Sequence, residues 1–292
     1  RKQGRVMGPG SKVWVKDIDR AYIEGEVVAV TKGQATVKCG QDGACETTKR
    51  VLPADELETR VEQPCIGEMD DLKILNIPTV LQNVDDLFGM PQCEFPYEGP
   101  ANIYTCVGPL LIAMNPFQDL PLYTDKWKEA YASIDFDQHA TKKLGPHVFR
   151  TAQEAFARLQ TEHAQSILIS GESGAGKTVT AGRILEYLCS VGGQKDGDSS
   201  TVDPKMIVES NVLLEAFGNA KTMRNHNSSR FGKFSRLNFS MADGRSQICS
   251  VGVEHYLLET IRVVSQAKGE RNYHVFYQLL RSGVGKRYGL EG

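Results

Sequence analysis

The chain has no run approaching the roughly 18 consecutive apolar residues that a membrane-spanning helix needs. Its basic start, Arg1 to Val6, leads into Gly8-Pro9-Gly10 instead of an apolar signal core. Seven cysteines, at 39, 45, 65, 93, 106, 189 and 249, form an odd set without a CxxC pair. That argues against a zinc site and against a complete disulfide framework, and it suits a reducing, cytoplasmic setting. Charge of one sign is also missing: 34 basic residues face 36 acidic ones, a net charge of -2. No global field therefore draws the chain to nucleic acid or anionic lipid. Its six histidines are scattered, and none falls beside an acid and a serine in a nucleophilic arrangement. No internal repeat is present.

What remains is an ordinary globular composition, 40% hydrophobic and 24% charged over 292 residues. That length accommodates a main domain with an appendage. Val13-Trp14-Val15, Glu26 to Val30 and Thr36-Val37-Lys38 read as short strands, with a turn at Lys32-Gly33. Pro53, Pro64 and the charged stretch Asp55 to Glu62 mark a connection, so the expected division is a β module over 1–62 and a second unit over 63–292. Beyond it, apolar runs of strand length, Thr105 to Met114 and Ile167 to Ile169, alternate with helical patterns, which predicts α/β architecture.

In His147 to Glu162 the residues Val148, Phe149, Ala152, Ala155, Phe156 and Leu159 recur at steps of three and four, predicting a helix with one buried stripe. Val191 to Pro204 is rich in Gly, Ser and Asp and reads as an exposed loop, followed by a helix over Met206 to Phe217. Phe234 to Gly252 reads as two strands joined at Asp243-Gly244. Tyr273 to Leu280 reads as a final helix, with Tyr273, Phe276 and Tyr277 assigned to core packing. Lys142, Lys143 and Arg271 read as solvated charges, and the irregular stretch Gly89 to Gly99 carries no readable role.

The chemical signal is Gly171-Glu172-Ser173-Gly174-Ala175-Gly176-Lys177-Thr178, preceded by the expected buried strand Ser166 to Ser170 and followed by a helical stretch with Ile184, Leu185 and Leu188. Glycines let backbone N–H groups wrap phosphate oxygens where a Cβ would collide, and the helix start adds its positive dipole end. Lys177 supplies a charge to the β and γ phosphates, and the Thr178 hydroxyl can ligate Mg2+. At ordinary composition a chain of this length matches the pattern by chance on the order of 1% of the time.

Downstream, Asn225-His226-Asn227-Ser228-Ser229-Arg230-Phe231-Gly232-Lys233-Phe234 gathers hydroxyl, amide and cationic groups able to sense a γ-phosphate. The order of the phosphate loop, Leu214 to Thr222 and this second loop closely resembles the myosin family, in which the last segment is switch I. Asn115 to Tyr123 resembles the myosin purine-binding loop. Pro146 to Phe149 and Glu270 to Leu280 resemble further family signatures, and the resemblance covers about residues 72 to 282.

The resemblance implies an α/β P-loop NTPase motor core, a mixed central sheet flanked by helices, preceded by a small SH3-like β-barrel. It places Asn115, Pro116 and Tyr123 around the adenine of ATP and the loop Gly171 to Lys177 on its phosphates. Thr178 and Ser229 become Mg2+ ligands. Asn225 and Ser228 lie near the γ-phosphate and the attacking water, and Asn227 joins the nucleotide-binding set, with Ser228 as the proton-relay hydroxyl and Lys177, Asn225, Ser228 and Arg230 as the catalytic set.

In the family the switch I arginine pairs with a switch II glutamate, and no DxxGFE segment occurs here. The chain therefore reads as the front portion of a motor, with Arg230 left an unpaired cation and the isolated piece almost without turnover. Actin filaments, and light chains or calmodulin-like proteins on a lever arm, are the implied partners, and the cytoskeleton the implied location. Val179 stands where many myosins carry Glu, which puts the contacts near the ribose and adenine in question. A kinesin-like motor shares the Asn-x-x-Ser-Ser-Arg pattern, although Phe231 to Phe234 and Asn115 to Tyr123 favour myosin. A nucleotide-binding tether without hydrolysis is a further alternative.

Overall fold

The computed structural model describes residues 7–40, 48–90, 102–134, 144–193, 204–242 and 245–290. Expectations for 89–99 beyond residue 90, for the loop between 193 and 204, for Asp243-Gly244, and for Lys142 and Lys143 lie outside the described residues. The chain divides into two compact units, Arg1–Ala113 and Met114–Gly292. No helix among the described residues is long and apolar enough to cross a membrane.

The first unit is built on one antiparallel sheet of β1 (Lys12–Asp17), β2 (Ala21–Thr31), β3 (Gln34–Cys39), β4 (Thr48–Pro53) and β5 (Glu58–Thr59), in the order β4-β3-β2-β1-β5. The turn between β2 and β3 follows from two adjacent positive φ angles, 50° at Lys32 and 80° at Gly33, the requirement of the tight turn whose twist matches the flanking strands. Alternation along the strands puts Val13, Val15, Val27, Ala35 and Val37 inside with Leu57. The edges β4 and β5 are not paired with each other, so the barrel expected from the sequence is an open sheet among the described residues.

Helix α1 (Ile77–Gly89) starts where the Asn76 side chain accepts from the Thr79 amide at 3.0 Å. The apolar run Thr105 to Met114, expected as one strand, is instead the hairpin β6 (Tyr104–Val107) and β7 (Leu110–Ala113). Gly108 takes φ +53° and Pro109 supplies the fixed negative φ of the second turn position, so the chain reverses there.

The second unit holds α2 (Asp125–Ala132), α3 (Val148–Arg158), α4 (Lys177–Gly192), α5 (Pro204–Gly218), β8 (Asn219–Ala220), β9 (Ser228–Ser229), β10 (Gly232–Ala242), β11 (Arg245–Tyr256) and α6 (His274–Arg281). Helix α3 stops at Arg158, short of Glu162, and buries only Val148, Phe149 and Ala152 of its expected stripe. β10 and β11 pair from Gly232↔Tyr256 to Ala242↔Arg245, a longer hairpin than expected, with a bulge at Asn238/Phe239. Leu185 and Cys189 on α4 pack on Ile248, with Leu237, Phe239 and Val251 beside them.

Three further expectations are corrected. Ser166 to Ser170 forms no strand, and Leu168 is 92% exposed, because no other described segment offers that stretch a ladder. The hairpins β6–β7, β8–β9 and β10–β11 are separate two-stranded sheets, not one central sheet, among the described residues. Of the three aromatics assigned to core packing only Tyr273, the residue that precedes α6, is buried, while Phe276 and Tyr277 on the helix are exposed.

Candidate functional site

The phosphate loop emerges from local backbone chemistry. Gly174 and Gly176 adopt φ of +88° and +92°, where a side chain would be strained, and Gly176 caps α4 so that Lys177 is its first residue. The Lys177 ammonium turns back into the loop, donating to the carbonyls of Gly171 at 2.7 Å and Glu172 at 2.9 Å. A cation thus stands beside the helix-start amides, the arrangement that attracts an anion.

Two neighbouring segments close on this loop. Asn115 donates from Nδ2 to the Gly174 carbonyl at 2.7 Å, and its Oδ1 accepts from the Phe117 amide at 2.9 Å. On the other side, β8 pairs with β9 through Ala220↔Ser228, which fixes the serine pair against the loop. Ser228 is buried, and its Oγ lies 2.8 Å from Ser173 Oγ. Thr178 Oγ1 lies 3.5 Å from Ser229 Oγ. Adjacent ligands of an octahedral Mg2+ with bonds of 2.0–2.1 Å stand about 3 Å apart, so these hydroxyls fit one ion with a small adjustment.

The remaining expected residues sit as follows. Asn225 closes a turn with Thr222, its carbonyl accepting the Thr222 amide at 2.8 Å, and its Oδ1 accepts from the Asn227 amide at 2.9 Å. Asn227 faces a different group: its amide meets Glu215 at 3.1 Å, Asn219 at 3.2 Å and His274 at 3.0 Å. Pro116 is half-buried beside Asn115. Tyr123 belongs to an aromatic group with His147 and Phe149, and the Arg183 guanidinium of α4 covers its ring at 4.5 Å. His147 is fully buried and caps α3, its Nδ1 accepting from the Phe149 amide at 3.1 Å. Burial pushes its pKa down to about 3, only partly opposed by a backbone hydrogen bond at Leu122.

Arg230 is not the unpaired cation expected from the sequence. Its Nε donates to Glu259 Oε2 at 2.6 Å, and its Nη1 donates to Ser228 Oγ at 3.2 Å. The reason is the return of the β10–β11 hairpin, which brings Glu259, 29 residues on, back to the Arg230 backbone. No periodic signal links such distant positions. Arg183, Glu259 and the surface ion pair of Glu172 with Arg224, at 2.8 Å, are the neighbours that sequence reasoning missed.

A family model described as myosin head (motor domain) matches residues 67–287. The chain is 42% identical over 276 residues to Myosin-14 of Arabidopsis thaliana, covering 92% of this chain and 17% of that protein. It is 41% identical over 278 residues to Protein OPAQUE1 of Zea mays, covering 94% and 17% respectively. With Myosin type-2 heavy chain 2 of Schizosaccharomyces pombe it shares 39% identity over 277 residues, 94% of this chain and 12% of the relative. The chain thus spans less than a fifth of the length of these curated relatives.

Proposed function

The chain belongs to the myosin motor-domain family, and on that premise we propose that it binds MgATP at the loop Gly171 to Thr178 and works in ATP-driven movement on actin. The family match does not favour a kinesin-like motor or a tether without hydrolysis. We read residues 63–292 as the N-terminal part of a P-loop NTPase motor core, and residues 1–62 as an SH3-like subdomain.

One observation carries the reading: two hydroxyl pairs, Ser173 with Ser228 and Thr178 with Ser229, join the phosphate loop to the second loop at 2.8 and 3.5 Å. A γ-phosphate occupying this seam would be sensed by both loops at once. Lys177, now bonded to two loop carbonyls, is free to turn onto phosphate oxygens at little cost, since both states offer it charged or dipolar acceptors.

Thr178 and Ser229 would hold Mg2+, which when bound neutralises charge on the phosphate oxygens. Ser228 accepts a hydrogen bond from Arg230, so its own proton is directed elsewhere, towards Ser173 or an attacking water. Asn225, in the turn leading into β9, orients that water, and Arg230 steadies the charge that develops. Asn115, Pro116 and Tyr123 receive the purine, with Arg183 setting the Tyr123 ring. Water attack on the γ-phosphorus would break its bond to the β–γ bridging oxygen, leaving ADP and inorganic phosphate; loss of the phosphate would loosen the seam, and its opening and closing would be the signal relayed to the actin-binding face.

In the intact protein, Lys177→Ala should abolish ATP-dependent release from actin filaments. Release at wild-type ATP concentrations by that variant contradicts the proposal.

A further inference from the structure

We propose that Glu259 is a positioning residue of the nucleotide site: it holds the Arg230 guanidinium at the angle that grips Ser228, and so sets the hydroxyl that faces the γ-phosphate. This rests on the reading of the site as an ATPase. The chain of contacts is continuous. Glu259 Oε2 accepts Arg230 Nε at 2.6 Å, Arg230 Nη1 donates to Ser228 Oγ at 3.2 Å, and Ser228 Oγ lies 2.8 Å from Ser173 Oγ of the phosphate loop.

A carboxylate can position a neighbour only if it is itself fixed, and Glu259 is fixed from three sides. Arg262, with a side chain only 5% exposed, takes both of its oxygens, at 2.8 Å to Oε2 and 3.3 Å to Oε1. Arg262 is held in turn by Glu270 at 3.0 Å and by the Arg271 carbonyl at 3.1 Å. The backbone is pinned as well: the Glu259 amide donates to the Arg230 carbonyl at 3.0 Å, and the Tyr273 hydroxyl donates to the Glu259 carbonyl at 2.7 Å. Two guanidiniums therefore share one carboxylate oxygen. The hydrogen bonds from Arg262 and Arg230 keep that carboxylate charged, below the usual glutamate range.

Its charge and its geometry predict different effects on the reaction. Charges alternate along Arg230, Glu259, Arg262 and Glu270, so neutralising Glu259 leaves Arg230 more positive beside the phosphates and does not weaken ground-state binding of an anion. The same change frees the guanidinium to rotate off Ser228. A hydroxyl misplaced by even 1 Å lowers the rate of the chemical step, where orientation matters most. The expected signature is a loss in kcat without a matching rise in KM.

The test is steady-state ATPase kinetics of the intact protein, normalised to active sites, for wild type, Glu259→Gln and Glu259→Asp. The Gln variant should lose about tenfold or more in kcat, the size of one charge-assisted hydrogen bond, with KM within about threefold of wild type. The Asp variant, which keeps the charge but withdraws it by one methylene, should fall between. If the Gln variant does not fold, the Asp variant alone decides: a loss of about threefold in kcat at unchanged KM supports the inference. A wild-type kcat in the deciding variant overturns it, as does a KM that rises in proportion while kcat holds. Wild-type protein that binds no ATP overturns the reading of the site, and this inference with it; wild type that turns over while the variants match it overturns this inference alone.

Discussion

Gly176 shows how narrow the tolerance of the site is. At φ +92° it caps α4, with Asn115 side-chain atoms about where a Cβ would find ordinary contact, at 3.9 to 4.0 Å. Space is therefore available, and the cost of Gly176→Ala is conformational, about 1–2 kcal/mol for forcing an L-residue into the left-handed region. Urea midpoints should fall accordingly, and ATP affinity with them. Gly218→Ala acts sterically instead, because its Cβ would lie 2.4 Å from the Phe231 ring, next to Arg230. About 1–3 kcal/mol of overpacking is expected, again readable by denaturation. His147 adds a pH dependence. Its folded pKa, about 3, lies below the ordinary 6.5, so the unfolded chain takes up the proton first as pH falls. Its contribution is complete above about pH 6.5 and is lost towards pH 3, at up to about 1.4 kcal/mol per unit. His147→Asn keeps a capping acceptor and should flatten the slope between pH 6.5 and 5.

Among the elements, those dictated by neighbours in sequence were legible and those dictated by distant partners were not. The β2–β3 turn at Lys32-Gly33 and the helix start at Lys177 both follow from local backbone demands. By contrast, Ser166 to Ser170 carries the composition of a buried strand, yet whether it becomes one depends on flanking strands that no local pattern reveals. The break at Gly108-Pro109 was present in the sequence, but uninterrupted apolarity on both sides masked it. Contacts between elements give a direct test: Ile248 on β11 seals against Leu185 and Cys189 of α4, the helix that begins at the phosphate loop. Ile248→Ala should cost about 2–4 kcal/mol in a denaturant titration. Ser240→Ala, at an exposed position on β10, should cost under about 0.5 kcal/mol.

Across the molecule, the loop Gly171 to Thr178, Asn115 and the serine pair Ser228-Ser229 all lie in the second compact unit, Met114–Gly292. Their residue types and order were readable at the level of sequence, because phosphate binding demands glycine, lysine and hydroxyl groups in fixed succession. The acid that organises Arg230 was not, since it reaches the site only through a hairpin of 25 residues from Gly232 to Tyr256. MgATP is expected to bind in the seam between these loops. Calorimetric titration of the intact protein with ATP, with and without Mg2+, tests it most directly when wild type is compared with Lys177→Ala and Ser229→Ala. Saturable, Mg2+-strengthened binding is expected, abolished in Lys177→Ala and with the Mg2+ benefit reduced about tenfold or more in Ser229→Ala. Equal binding by wild type and Lys177→Ala, or a Mg2+ benefit unchanged in Ser229→Ala, would contradict it.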